Sequence, residues 1–270
     1  MSYTNIYIDD YGKETFIQNV SEETVQEVEK NIAAIQEFMN ETDYYDMLKG
    51  NLDDFIEFAE KVDPLDIKAF SKLNRMFINW LNMFYVWEQY HQRYYRPIFE
   101  KLSRKYYDGF YEYRMAFHLR RYTTHQRCCI TRIEVNLETG DADFLIGIQE
   151  LLKNGSDMNK KIKEELNQQV DEDDYIEIRE FTRKFSQMIE KCQKELWSKE
   201  WTIVKEAVRV LNRHIKVENS RISQSYIKME GENKKLIDIV QPIFMLYKKL
   251  EELRQGYSLT TFCLLYTSDA

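Results

Sequence analysis

Between Leu65 and Tyr95 the chain runs LDIKAFSKLNRMFINWLNMFYVWEQYHQRYY. Ile67, Phe70, Leu73, Phe77, Trp80, Leu81, Phe84 and Trp87 recur there mostly at intervals of three and four. That spacing sets them on one face of an α-helix, and a face so wide and aromatic must be covered by other helices. The segment predicts the central helix of a bundle. Eight glycines and three prolines in 270 residues fit the same class, because a chain of many strands needs more of both at its turns. With 43% hydrophobic and 31% charged residues, the chain has the balance of a globular protein able to bury a core.

The flanking segments extend this reading. NIYIDDYGKETFIQNV alternates about Tyr11-Gly12 and predicts an N-terminal β-hairpin. A helix follows in SEETVQEVEK. Its N-cap is either Ser21, with Glu22 and Glu23 at the positive end of the helix, or Thr24, with Glu27 completing a capping box. Tyr44 to Val62 reads as a second helix, with Gly50 as a candidate break. Asn74, Asn79 and Asn82 lie among the apolar residues of the central helix, and buried amides there would tie neighbouring segments together. Pro97 opens a further helix, and Asp108 is the candidate cap of the next.

Ile130 to Val135 and Phe144 to Ile148 alternate around a Thr-Gly-Asp turn and predict a second hairpin. A short helix over 149–154, an amphipathic one over 159–170 and a long one from about Tyr175 to His214 come next. SRISQSYIKMEG reads as extended, and the last helix covers Lys234 to Gln255 with an interruption near Pro242. The expectation is one mainly α domain over residues 1–262, a helical bundle with one or two small β-hairpins. The final CLLYTSDA, residues 263–270, can be written in codons as TGT CTC TTA TAC ACA TCT GAC GCT. That is the transposase adapter of sequencing libraries, so the octapeptide is expected to be a processing artefact with no part in the fold.

Charge narrows the function classes. The formal net charge is -8, so the chain as a whole gains no attraction to nucleic acid, and an RNA site would need a local basic patch. Residues 114–132 supply one: Arg114, Arg120, Arg121, Arg127 and Arg132 occur with no acidic residue among them. The bland alternative is a solvated helix face. No window is apolar enough for a membrane span, and the first residues lack the basic start and apolar run of a secretory signal. Cys128, Cys129, Cys192 and Cys263 form no CxxC pair, which fits a reduced, cytoplasmic setting, and Cys128 and Cys129 are expected as small buried hydrophobes. No Gly-rich phosphate loop, nucleophile elbow, HExxH or other metal-ligand cluster occurs, so no metal or cofactor is expected.

What remains is Arg120, four residues, and His125. The spacing alone is common, and Arg209 and His214 repeat it. Its surroundings are more particular. LNRMFINWLNMFYVWEQ is followed by YYDGFYEYRMAFHLRRYTTHQRC and a hairpin. Through Asn74, Arg75, Asn79, Tyr113, Arg114, Leu119, Arg120, Tyr122 and His125, roughly residues 72 to 135, the chain resembles a bacterial group of the HEPN superfamily of helical nucleotide-binding and ribonuclease domains. Arg121 departs from the group's pattern, which has Asn there.

The resemblance implies a metal-independent endoribonuclease with Arg120 and His125 as catalytic residues, acting as a homodimer on RNA. Its setting would be toxin or phage defence, with an antitoxin or defence-system protein as partner. The alternative is a non-catalytic helical module that binds a protein or nucleotide.

The chemistry suits the residue types. A histidine can take the 2′-OH proton or supply one to the leaving 5′-oxygen, and an arginine can hold the phosphate and its added charge. Arg114, Arg121 and Tyr122 are the candidate RNA-binding residues around this pair. Five positions on a regular helix are about 140° of rotation, so Arg120 and His125 diverge. Either the helix breaks near Thr123-Thr124, or two copies of the motif meet across a two-fold axis.

Overall fold

The computed structural model describes residues 2–8, 11–136, 138–139, 141–154, 158–170, 174–215, 217–218, 221–222, 224–230 and 235–257. The segment 263–270 lies outside them. In chain order the elements are β1 (Ser2–Ile8), β2 (Glu14–Val20), α1 (Glu22–Lys61), α2 (Ile67–Tyr94), α3 (Arg96–Gly109) and α4 (Tyr111–His125). Next come β3 (Arg132–Val135), β4 (Ala142–Gly147), α5 (Ile148–Asn154), α6 (Lys160–Val170), β5 (Tyr175–Glu177) and α7 (Ile178–Asn212). The chain closes with β6 (Val217–Glu218), β7 (Arg221–Ile222), β8 (Gln224–Glu230), β9 (Lys235–Asp238) and α8 (Val240–Tyr257). The fold is mainly α with small antiparallel sheets, as the sequence predicts.

The residues cluster into two compact units, Glu41–Ser198 and the two flanking parts of the chain together. α1 and α7 each contribute to both. In the first unit, α2 forms the predicted central helix. Asp66 is its N-cap, its carboxylate accepting the Lys68 amide at 2.8 Å. Phe77, Trp80, Phe84 and Trp87 of α2 are fully buried. Phe84 packs edge-on against Tyr113 and Phe117 of α4 at centroid distances of 5.1 and 5.6 Å, and against Phe185 of α7 at 5.1 Å. Each such ring stabilises by about 1.5–3 kcal/mol through burial, with about 0.5–1.5 kcal/mol more from edge-to-face geometry. α2 and α4 therefore lie side by side, as their apolar faces predict.

A polar knot sits within this aromatic core. Glu41 of α1 is fully buried. Its carboxylate accepts from Trp197 Nε1 of α7 at 2.6 Å and from Gln193 Nε2, and lies 3.0 Å from His91 Nε2 of α2. His91 Nδ1 is 2.7 Å from the Trp87 carbonyl, which can only accept, so Nδ1 donates there. Trp87 Nε1 in turn donates to Gln193 Oε1 at 2.8 Å. Three helices are tied at one point with every polar atom answered.

In the other unit, the predicted N-terminal hairpin forms, with Gly12 at φ 79°, a conformation that a side chain disfavours. β1 also pairs with β8, giving an antiparallel sheet in the order β2-β1-β8-β9. Asn5 of β1 is buried and donates to the His214 carbonyl at 3.0 Å. β6 and β7 pair separately.

Several sequence expectations are corrected. α1 is one helix through Gly50, because Tyr45, Leu48, Leu52 and Phe55 are buried on either side and outweigh the cost of about 1 kcal/mol for a helical glycine. The helix also runs without a break through residues 40–44, so the segment read as a second helix is the second half of α1, and Glu41 and Thr42 between the two readings are buried. Ser21 rather than Thr24 caps α1, its hydroxyl accepting the Thr24 amide at 3.2 Å. Asp108 does not cap α4; Phe110 stands at that position. The long helix starts at Ile178, since Tyr175–Glu177 is drawn into a three-stranded sheet, β3-β4-β5, where Ile176 pairs with Ile146. Pro242 falls in the first turn of α8, where proline is tolerated, and does not interrupt it. Cys129 is buried as expected, but Cys128 is exposed.

No described helix is long and apolar enough to cross a membrane. No group of three or more metal-ligating side chains occurs among the described residues.

Replacing Glu41 by Ala strands the donors of Gln193 and Trp197 in the core and leaves His91 Nε2 without its partner. A loss of about 3–5 kcal/mol is expected in denaturant unfolding, with Glu41→Gln milder because it keeps an acceptor. An unchanged unfolding midpoint for Glu41→Ala would show that the knot holds nothing.

Candidate functional site at the end of helix α4

Helix α4 buries Tyr113, Met115, Ala116, Leu119 and Tyr122 against the core. Its charged residues divide among quite different environments. Arg114 is 4% exposed. Its Nε donates to Glu165 of α6 at 3.2 Å, Nη2 also donates to that carboxylate, and Nη1 donates to the Asp108 carbonyl at 2.9 Å and to that of Tyr107. This bidentate pair fastens α6 and the end of α3 to α4 and occupies the guanidinium inside the fold. Tyr122 is likewise buried, and burial raises its hydroxyl pKa. Two of the three residues expected at an RNA surface, Arg114 and Tyr122, are thus placed in the interior, and the third, Arg121, is exposed.

Arg120 is half-buried. Its guanidinium carbon lies 3.9 Å from the centroid of the Tyr85 ring, and Nε is buried with no hydrogen-bond partner among the described residues. A cation–π contact of this kind contributes about 0.5–2 kcal/mol. Thr123 and Thr124, the proposed break, instead donate their hydroxyls to the Arg120 carbonyl at 2.9 and 2.8 Å, and the helix continues unbroken to His125. His125 is exposed.

On this regular helix Arg120 and His125 are about 140° apart, so one chain does not bring them together. The same geometry sets His118, Arg121 and His125 within about 60° of one another, a stripe of two imidazoles and one guanidinium. The sequence contained this stripe as a four- and seven-residue spacing, which the Arg120–His125 motif obscured. Arg121 and His118 line a hollow of about 450 Å³ with Tyr107, Phe117 and Asn159. Burial, reinforced by the Arg121 charge, pushes the His118 pKa down to about 4. His118 is therefore neutral near pH 7, and its buried Nε2 has no partner among the described residues.

The chain leaving α4 turns back onto α2. Asn74, the only one of the three predicted asparagines to be buried, donates to the Ile130 carbonyl at 3.2 Å and accepts the Ile130 amide at 3.3 Å. Asn79 and Asn82 are exposed. A hollow of about 710 Å³ opens beside this clasp, lined by Arg75, Asn79, Arg127 and Cys128 among others. The Asn-Arg and second Asn of the resemblance thus meet the segment that follows His125. Sequence reasoning missed this meeting, because nothing local signals that residues 127–131 fold back.

No protein-family model matches the chain, and neither a curated protein nor a solved structure matches it significantly.

The His118 shift carries a pH dependence. Its folded pKa lies below the ordinary value, so the unfolded chain binds the extra proton first, and this contribution to stability falls as pH drops from about 6.5 towards 4. His118→Gln should flatten the stability profile across that window in urea titrations. An equally steep profile in the variant would mean that His118 does not titrate there.

Proposed function

We propose that the chain is a metal-independent endoribonuclease of HEPN type, acting as a homodimer whose cleft combines the last turns of α4 from two copies. The observation that carries this reading is an exposed His125 at the end of an unbroken helix, with Arg120 of the same chain turned about 140° away. Arginine and histidine then come together when different copies supply them, as an isologous two-fold contact allows. The Arg121 stripe and the local excess of arginine in an acidic chain favour a phosphate-bearing substrate.

In this account His125 takes the proton of the 2′-OH. The oxygen attacks phosphorus, the bond to the 5′-oxygen breaks, and the leaving oxygen takes a proton from an imidazolium of the same cleft. A 2′,3′-cyclic phosphate and a 5′-hydroxyl result. Arginine stabilises the added charge on the non-bridging oxygens. The resemblance would place such an enzyme in toxin or phage defence, with a protein partner that restrains it.

One observation favours a second reading. Arg120 is already engaged on Tyr85, with Nε buried, which suits a packing role in a non-catalytic module that binds a protein or nucleotide.

Purified protein with labelled RNA and chelator separates the two. Cleavage is expected to survive chelation and to be abolished in His125→Ala. Arg120→Ala should lose roughly a hundredfold or more in rate. Arg121→Asn should keep or raise activity, since it restores the group's residue. Wild type and His125→Ala leaving RNA equally intact on all substrates would rule out the enzyme and leave the binding module.

A further inference from the structure

We propose that the hollow between α2 and residues 127–131 is a binding track for the phosphate backbone of single-stranded RNA, with Arg75 and Arg127 as its phosphate contacts. The inference rests on the reading of the chain as an RNA-acting protein and names the strand's path away from the cleavage point.

The charge on the hollow carries the proposal. Arg75 is exposed and makes no ion pair among the described residues. Arg127 pairs with Glu150 at 3.4 Å, across two side chains that are 55% and 43% exposed, a pairing worth little in water. No acidic residue lines this hollow. The contrast within the same unit is a hollow of about 440 Å³ beside β4 and β5, where Glu112, Glu134, Asp143, Glu177 and Glu180 face a single Lys184. In a chain of net charge -8, an apolar hollow with two arginines and no acid selects an anion.

The shape argues for a nucleic-acid strand. Phe70 and Ile78, both half-buried, offer apolar surface on which bases can lie, and Asn79 offers amide hydrogen bonds. The volume of about 710 Å³ exceeds what a lone phosphate fills. The position agrees with this, because Arg127 and Cys128 follow His125 by two and three residues. The clasp of Asn74 on Ile130 fixes the wall, so the arginines are presented by ordered chain.

The test uses the full chain carrying His125→Ala, so that RNA stays uncut. Binding of a fluorescent single-stranded RNA is followed by anisotropy as salt is varied. Arg75→Glu and Arg127→Gln should each weaken binding by roughly fivefold to tenfold and lower the salt slope by about one. Circular dichroism should show both folded, since both side chains are exposed. Cys128 gives an independent readout. It is exposed while Cys129 and Cys192 are buried, and bound RNA should slow its alkylation.

Undiminished binding in both variants, with Cys128 alkylated as fast as without RNA, would overturn the track and leave the nuclease reading standing. Binding that depends on Arg75, in a protein whose wild type never cleaves, would keep the track and remove the nuclease. Displacement of the RNA by a mononucleotide at equal phosphate concentration would overturn the track in favour of a free-nucleotide site. Absence of RNA binding at every salt concentration would overturn it outright.

Discussion

The buried carboxylate of Glu41 is the constraint around which the helical unit is arranged. A charged or acidic group in an aromatic core is tolerated only when its oxygens are fully answered. Here the answers come from α2 and α7 together, through His91, Gln193 and Trp197. Apolar faces alone would let those helices slide or rotate by a residue at modest cost, whereas the knot has one register in which every donor meets an acceptor. With α2 fixed in rotation, Phe84 and Glu88 point at α4. Phe84 meets Tyr113 edge-on, and Tyr113 donates its hydroxyl to Glu88 at 2.9 Å. Both side chains are buried, and that burial raises the Glu88 pKa to about 7.

Fixing α4 in this way determines what its far end can present. Arg114 and Tyr122 are turned inward, and Arg120 is laid on Tyr85. Arg121 and His125 are exposed. The last turn does not unwind, because Thr123 and Thr124 bond back to the Arg120 carbonyl. Helix continuity and a single-chain Arg–His site are therefore incompatible. The composite cleft proposed here follows from that incompatibility, and the arginine-lined hollow beside α2 extends it along the strand.

The sequence made the helices legible wherever an apolar stripe was long, as in α2 and α7. It divided α1 into two helices, the second starting at Tyr44, because the polar run from Asn40 to Asp43 carries no apolar stripe; Glu41 is buried there by partners about 50 and 150 residues away. β5 and β9 were absorbed into neighbouring helices because three or four residues carry too little periodicity to register. The pairing of β1 with β8 was invisible for a similar reason: an alternating strand does not name its partner. At the site, the sequence singled out Arg120 and His125 by spacing, but not which side chains are turned inward. Arg114 and Arg121 look alike in the string, and it is Glu165 on α6 with the carbonyls ending α3 that hold Arg114 inward.

The most direct measurement is complementation. Arg120→Ala, roughly a hundredfold or more slower than wild type, and His125→Ala, inactive alone, are mixed, allowed to exchange subunits and assayed on labelled RNA. If the cleft joins arginine from one copy with histidine from the other, random pairing should restore up to about a quarter of wild-type cleavage. A mixture as inert as its components, beside an active wild type, would place both residues in one chain and contradict the account. An inactive wild type would contradict it at the outset.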